Sequence, residues 1–138
     1  GFFARIVQKF GGTSVANVEC IRKAAKKAKA EVDAGNEVAV VVSAMAGVTD
    51  QLIEYVGAMS PIYDACEYDV VVSSGEQVTA GLMAMALQDI GVQSSSWLGW
   101  QLPIRTDNSH SRARIKTIDS SAVDLRLKAG EVAVMPGF

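Results

Sequence analysis

The apolar residues of this chain fall into short blocks that alternate between strand and helix spacing. Residues 4–10 and 38–42 are rich in Ile and Val, which favours strands, and the second block is apolar throughout. Such a block is typical of a strand that is buried on both faces of a parallel sheet. Between the two blocks, apolar residues recur at steps of three and four and predict a helix: Val18, Ile21, Ala25, Ala28 and Val32.

Glycines and hydroxyl side chains mark where that first helix should begin and end. Gly11 and Gly12 follow the first strand and let the backbone turn sharply. We expect Thr13 or Ser14 to cap the helix through its hydroxyl, and Gly35 to end it. The basic side chains lie mostly off the apolar stripe and predict a solvated face: Arg22, Lys23, Lys26, Lys27 and Lys29.

The rest of the chain continues the alternation of helices and strands. Residues 48–59 predict a helix that Ser60 and Pro61 end. Residues 76–90 predict another, because they are rich in Ala, Met and Leu. The Val-rich run 70–74 is equally compatible with a strand and a helix. The remaining predictions are strands at 94–100, 102–106, 114–118 and 131–135, a polar loop at 107–111, and a short helix from Ser120 or Ser121 to Ala129.

Helices that alternate with apolar strands define an α/β fold class. We predict a mainly parallel sheet with helices on both faces, in three α/β/α layers. Parallel sheets place ligands beyond the carboxyl ends of their strands. Two loops should meet at that edge of the sheet, residues 11–14 after the first strand and residues 43–49 after the second.

Composition and charge argue against several classes of function. The formal net charge is −2, whereas a nucleic-acid binder of this size usually carries an excess of Lys and Arg. We expect no membrane span, which needs about 20 consecutive apolar residues, and no secretory signal. Cys20 and Cys66 have no metal-ligand spacing, and we interpret them as free thiols of a cytoplasmic protein.

The segment from Lys9 to Ser14, K-F-G-G-T-S, combines the parts of a phosphate-binding loop. Lys9 places a cation at the end of a strand, where it can offset charge on a phosphoryl group. Gly11 and Gly12 have no side chains that would keep phosphate oxygens from backbone N–H groups, and a helix N-terminus follows. The loop matches neither the Walker A nor the dinucleotide pattern. By spacing alone, a simple strand-to-helix turn explains it equally well.

The same segment resembles the signature of aspartate kinases, in the amino-acid kinase superfamily. Three further segments agree with that family in order and spacing: V-V-S-A-M-A-G-V-T at 41–49, S-S-G-E-Q at 73–77 and V-M-P-G-F at 134–138. The resemblance covers essentially the whole chain. It implies that residues 1–138 are a truncated, N-terminal portion of a catalytic domain. The nucleotide-binding half and the regulatory ACT domains would be absent.

The resemblance implies an ATP site at the first loop. Lys9 matches the lysine that holds ATP phosphates and is essential to phosphoryl transfer. Phe10, Gly11 and Gly12 match the backbone that approaches those phosphates, and Ser43 matches a residue at the phosphate end of the site. Mg²⁺ would bridge the phosphate oxygens, and no residue of the chain is assigned as a metal ligand.

The resemblance also implies a substrate site for L-aspartate. Thr49 and Glu76 match residues that bind it, and a carboxylate suits the α-ammonium group of the substrate. The family phosphorylates the β-carboxylate to 4-phospho-L-aspartate, the first step of lysine, threonine and methionine biosynthesis. We expect the 138-residue polypeptide alone to be inactive and the full-length form to be a homo-oligomer.

Two other classes of function stay open. One is another amino-acid kinase, acting on glutamate or uridylate, although Thr13, Ser14 and the S-G-E segment argue against it. The other is a non-catalytic module that binds phosphate or assembles with a partner. Without the resemblance, Glu76 would be an ordinary carboxylate at a helix start. Thr49 and Ser43 would then be cap or loop hydroxyls.

Overall fold

The computed structural model describes residues 4–98, 104–106, 115–118 and 121–137, and gives only the strand assignment for the two short ranges. Strands and helices alternate over most of the described chain, as predicted. The elements in chain order are β1 Arg5–Phe10, α1 Val18–Asp33, β2 Glu37–Val42, α2 Val48–Met59, α3 Ala65–Asp89, β3 Ser94–Ser96, β4 Ile104–Thr106, β5 Ile115–Ile118, α4 Ser121–Lys128 and β6 Val132–Pro136.

Four of the strands form a parallel sheet in the order β1-β2-β6-β3. Arg5 pairs with Glu37 at the start of the β1–β2 ladder, and Phe10 pairs with Val42 at its end. Strands β4 and β5 form a separate antiparallel pair. All four strands of the main sheet run in one direction, so their carboxyl ends lie at one edge. This confirms the mainly parallel sheet.

Helices cover both faces of the sheet, which gives the predicted three layers. On one face α1 and α3 pack against β2 and β6, in a cluster that includes Ile21, Ala28, Val40, Met83, Leu87 and Val134. On the other face α4 packs Val123 and Leu127 against Ala39 and Ala133. Burial of a large apolar side chain such as Leu87 stabilises the fold by about 1.5–3 kcal/mol.

Helix α1 begins later than the sequence predicts. Its N-cap is Asn17, whose side chain accepts a hydrogen bond from the N–H of Cys20 at 2.9 Å. The carbonyl of Gly11 accepts the N–H of Ser14 at 2.9 Å and holds the preceding residues in a turn. The prediction that Thr13 or Ser14 caps the helix is therefore wrong, because that turn delays the start of α1.

Helix α3 includes the run 70–74, which excludes the strand alternative. The side chain of Asp64 caps the helix by accepting the N–H of Cys66 at 2.7 Å. The helix also packs beside α2. Capping and packing outweigh the β propensity of three consecutive valines. Glu76 consequently lies in the interior of α3, so its interpretation as a carboxylate at a helix start is wrong.

In the described residues, α3 is the one helix long and apolar enough to cross a membrane, by length and composition alone. A third of its most apolar window, 33%, is buried inside the fold. A core helix of a globular protein meets the same criterion, so this is weak evidence for a membrane span.

The predicted boundaries of the other elements vary in accuracy. The structure confirms the helix at 48–59 and the strand at the carboxyl end of the chain, and Gly35 follows α1 with φ 92°. The strand expected at 94–100 is only Ser94–Ser96. Other predicted residues lie outside the described ones: 99–103, 107–114, 119–120 and 138.

Candidate functional site

The carboxyl ends of β1, β2 and β6 bring three segments together at one edge of the sheet. The N–H of Ser43 donates to the carbonyl of Phe10 at 3.1 Å, which joins the ends of β1 and β2. The N–H of Gly137 donates to the carbonyl of Val42 at 2.7 Å, which joins the segment after β6 to β2. This is the edge at which parallel sheets bind ligands.

The loop after β1 presents open backbone at this edge. A Cβ atom added to Gly11 would meet nothing within 4 Å, and one added to Gly12 would lie 3.7 Å from the carbonyl oxygen of Ala44. Neither glycine has a positive φ, so the turn itself does not require glycine there. This finding weakens the alternative that Gly11 and Gly12 serve only to form a strand-to-helix turn. The missing side chains instead leave room for a ligand to approach the backbone.

Lys9 is exposed beside this loop, at the last position but one of β1. In residues 4–98 and 121–137 no carboxylate forms a salt bridge with it. Its neighbour Phe10 is 9% exposed and anchors the end of β1 in the core cluster. The strand end is therefore fixed, while the ammonium group of Lys9 is available to an anionic ligand.

The loop after β2 leads into α2. Gly47 is the N-cap with φ 79°, and no side chain caps this helix end. The N–H of Val48 donates to the carbonyl of Met45 at 3.1 Å, and no side chain accepts from the next N–H groups of this turn, which favours an anion there. Thr49 is exposed within this first turn, so it is not the cap, and Ser43 is half-buried in the loop.

Helix α3 reaches the same region through Gly75. A Cβ atom added there would lie 3.0 Å from Val48 Cγ1, 3.1 Å from Ala44 Cβ and 3.2 Å from Leu52 Cδ1. Only a glycine fits at this approach without displacement of its neighbours. The contact joins α3 to α2 and to the loop after β2, and Glu76 is the next residue of α3.

Glu76 is a half-buried carboxylate without a cationic partner in the described ranges. Burial raises the pKa of its carboxyl group to about 7. A cationic group of a ligand would stabilise the ionised form of such a half-buried carboxyl group, because the pairing offsets the loss of hydration.

The structure thus places the predicted site residues on or directly after four elements, β1, β2, α2 and α3. Lys9, Phe10, Gly11 and Gly12 lie at the end of β1, Ser43 follows β2, and Thr49 and Glu76 lie on α2 and α3. The close contact at Gly75 was missed, although the S-S-G-E-Q segment contains it. The sequence pattern also did not predict that α2 begins at Gly47 without a side-chain cap. The small residues of the loop at 43–47 could have indicated this.

The chain belongs to the amino acid kinase family, which it matches over residues 4–138. Its sequence is 49% identical to the aspartokinase of Rickettsia felis over 98% of this chain and 34% of that relative. The chain thus spans about a third of the length of such curated relatives.

Solved structures agree with this family. The aspartate kinase from Synechocystis superposes with a TM-score of 0.81 at 38% identity, over 98% of this chain and 22% of that one. The aspartokinase III of E. coli, solved in complex with aspartate and ADP, superposes with a TM-score of 0.73 at 22% identity, over 95% of this chain and 40% of that one. The second comparison shows a shared fold.

Proposed function

We propose that the chain is part of an aspartate kinase, which transfers the γ-phosphoryl group of ATP to the β-carboxylate of L-aspartate. The observation that carries the proposal is the meeting of the open Gly11–Gly12 loop with the loop after β2, which α3 contacts through Gly75 next to Glu76. The 49% identity to a relative named aspartokinase supports the same substrate. We also propose that the protein acts in the cytoplasm and that its reaction serves the biosynthesis of lysine, threonine and methionine.

The phosphate end of the proposed site uses charge and open backbone. Phosphate oxygens of ATP would approach Gly11 and Gly12, where no side chain blocks the N–H groups. Lys9 would stabilise the charge that develops on the γ-phosphoryl group, and Ser43 would lie beside it. The attacking β-carboxylate oxygen forms a bond to phosphorus as the bond to the leaving ADP oxygen breaks.

At the other end of the proposed site, Glu76 would pair with the α-ammonium group of L-aspartate. An opposite charge favours the ionised carboxylate and so lowers its pKa from about 7 on binding. Thr49 and the uncapped N–H groups of α2 would contact a carboxylate of the same substrate. We therefore expect the affinity for aspartate to fall as the pH drops below about 7, because Glu76 then takes up a proton.

Mg²⁺ would enter the site bound to the phosphate oxygens of ATP. The described residues contain no group of three or more His, Cys, Asp or Glu that could hold a metal ion. No described residue is assigned as a metal ligand, and no step of the transfer is assigned to the ion. Catalysis by the 138-residue chain alone is not expected, and we propose that the full-length form is a homo-oligomer.

Calorimetric titration of the 138-residue chain with Mg-ATP tests the phosphate end. We expect binding that Lys9→Ala abolishes, because the variant removes the cation beside the loop. Lys27→Ala, which changes an exposed lysine on α1, is the matched control and should bind as the unchanged chain does. Equal binding by both variants would contradict the role of Lys9. A second titration series with aspartate, glutamate and uridylate distinguishes the substrate from those of other amino acid kinases.

A further inference from the structure

Large apolar side chains stand exposed where α2 ends and α3 begins. Met59 is 85% exposed, and Ile62, in the turn between the two helices, is 87% exposed. Tyr55, one turn before Met59 on α2, is 56% exposed. Single exposed apolar residues are common on protein surfaces, whereas a cluster of them within residues 55–63 is typical of a binding surface.

An apolar groove lies between α2 and α3 beside these side chains. It has a volume of about 210 Å³, and Tyr55, Met59 and Val71 belong to its lining. Tyr63 and Tyr68 complete one wall, where their rings stack with centroids 5.1 Å apart and planes at 19°. The stacking holds the segment before α3 against the start of that helix, so this wall of the groove is already formed.

The groove is separate from the proposed kinase site. Thr49 lies in the first turn of α2, whereas Met59 is its last residue, which places the two about 15 Å apart along the helix axis. Neither Thr49 nor Glu76 lines the groove. The proposed phosphoryl transfer therefore assigns no ligand to it.

The groove carries negative charge. Glu67 belongs to its lining, and three more carboxylates are sequence neighbours of its tyrosines: Glu54, Asp64 and Asp69. No Lys or Arg occurs between Lys29 and Arg105. Within residues 4–98 and 121–137, none of these four carboxylates forms a salt bridge. They are therefore available to a cationic partner.

The thiol of Cys66 responds to the same charge. Burial raises the pKa of this thiol, and the carboxylates of Asp64, Asp69 and Glu67 raise it further. A negative potential that disfavours a thiolate favours a cation at the same place. The start of α3 thus combines an apolar groove with an electrostatic preference for basic groups.

The size of the groove favours a side chain of a peptide over a free small molecule. Pockets for small molecules usually measure about 300–1,000 Å³. A groove of about 210 Å³ is smaller and accommodates a single apolar side chain. The exposed side chains of Met59 and Ile62 offer further apolar contacts beside it, which a neighbouring residue of the same peptide can use.

We propose that this groove binds a basic amphipathic helix of another protein. One apolar side chain of that helix fills the groove against Tyr55 and Met59, and its Lys or Arg residues pair with Glu67 and the adjoining carboxylates. The apolar contact supplies affinity, and the charge pairs select basic over acidic sequences.

Two other occupants fit this surface less well. A membrane does so because the acidic start of α3 would repel anionic lipids. A second copy offers lysines on α1, but Ile21, Ala25 and Ala28 of that helix are buried in the core. The exposed Leu125 of α4 stands between an acidic and a basic residue, so it does not provide a basic apolar segment either.

Fluorescence anisotropy with a labelled peptide tests the groove. The probe is a peptide of about 15 residues made of Leu and Lys, with its Leu residues along one helical face. We expect saturable micromolar binding, and binding about tenfold weaker or more for the double variant with Tyr55→Ser and Met59→Ser, which removes apolar lining. Leu125→Ser, 70% exposed on α4, is the matched control and should bind as the unchanged chain does. Absence of binding to the unchanged chain, or equal binding by the double variant, would overturn the proposal.

A charge reversal distinguishes this groove from general attraction between a basic peptide and an acidic chain. Glu67→Lys should weaken binding of the Leu–Lys peptide about tenfold or more and create binding of a matching Leu–Glu peptide. Glu19→Lys makes the same change of charge on an exposed residue of α1 and should do neither. Equal effects of the two substitutions would contradict binding at the groove.

The same double variant also tests the other occupants. Self-association of the unchanged chain that Tyr55→Ser with Met59→Ser abolishes would assign the groove to a second copy, and binding to phosphatidylcholine vesicles with the same dependence would assign it to a membrane. Either result would overturn the proposal. Circular dichroism establishes that each variant is folded. None of these measurements needs nucleotide or aspartate, so their outcome is independent of the proposed kinase function.

Discussion

Gly75 sets the distance between α2 and α3 because it has no side chain. A methyl group there would lie 3.0 Å from Val48 Cγ1 and 3.2 Å from Leu52 Cδ1. We expect Gly75→Ala to destabilise the fold by about 1–2 kcal/mol, since overpacking costs about 1–3 kcal/mol and the gain in helix propensity returns up to about 1 kcal/mol. Urea unfolding measures the difference.

Gly57 provides the control for that substitution. It also lies inside a helix, α2, but a Cβ atom there would meet nothing within 4 Å. Gly57→Ala should therefore raise the free energy of unfolding by about 0.5–1 kcal/mol. If both substitutions stabilise the chain, the contact at Gly75 does not constrain α3.

The raised pKa of Glu76 makes the stability of the free chain depend on pH. The folded state holds the proton up to a pKa of about 7, whereas the unfolded state loses it near the ordinary value of 4.5. This contribution is therefore fully present below about pH 4.5 and is lost as the pH rises to about 7.

Glu76→Gln isolates that contribution, because glutamine does not ionise. Relative to the unchanged chain, the variant should be more stable at pH 8 than at pH 5. Urea unfolding at the two pH values checks the expectation. An equal difference between variant and unchanged chain at both values would show that burial does not perturb this carboxyl group.

The role of some single residues can be predicted from their neighbours in the sequence, whereas the role of others cannot. Lys9, Gly11 and Gly12 stand in one continuous segment, so a phosphate-binding loop can be proposed from the order of residue types alone. Gly75 cannot be understood in that way, because its contacts come from two other elements. The burial that raises the pKa of Glu76 has the same origin, since it depends on packing in three dimensions.

At the element scale, the start of α1 gives a direct test of capping. Asn17→Ala removes the acceptor for the N–H of Cys20 and should lower the free energy of unfolding by about 1 kcal/mol. Thr13→Ala and Ser14→Ala should each change it by less than about 0.5 kcal/mol, because neither residue is the N-cap. A larger effect at Ser14 than at Asn17 would contradict the observed helix start.

Helix periods were predicted more accurately than helix ends. The spacing of apolar residues identifies α1, α2 and the second half of α3, because burial against a sheet imposes that period. The first half of α3 was ambiguous, since its three valines favour strands by local propensity. The start of α1 was misplaced because Gly11 accepts hydrogen bonds from the next turn, which the order of residue types does not reveal.

At the scale of the whole molecule, the layers could be predicted but the strand order could not. The apolar runs of β2 and β6 indicate strands covered on both faces, and α1 with α3 and α4 provide that cover. Strand β6 inserts between β2 and β3, although β3 precedes it in the chain. Such an insertion depends on long-range pairing, and the sequence pattern does not encode which edge a strand joins.

The absence of Lys and Arg between Lys29 and Arg105 also determines how the chain can be cut. Trypsin cleaves after basic residues, so the unfolded chain should yield one peptide of residues 30–105 among shorter ones. That peptide contains Ser43, Thr49 and Glu76, whereas Lys9 and the glycine loop separate from it. Mass spectrometry of a complete tryptic digest checks this. Routine peptide mapping would therefore lose the proposed substrate end of the site in one oversized fragment, and a protease specific for acidic residues is the reagent to choose.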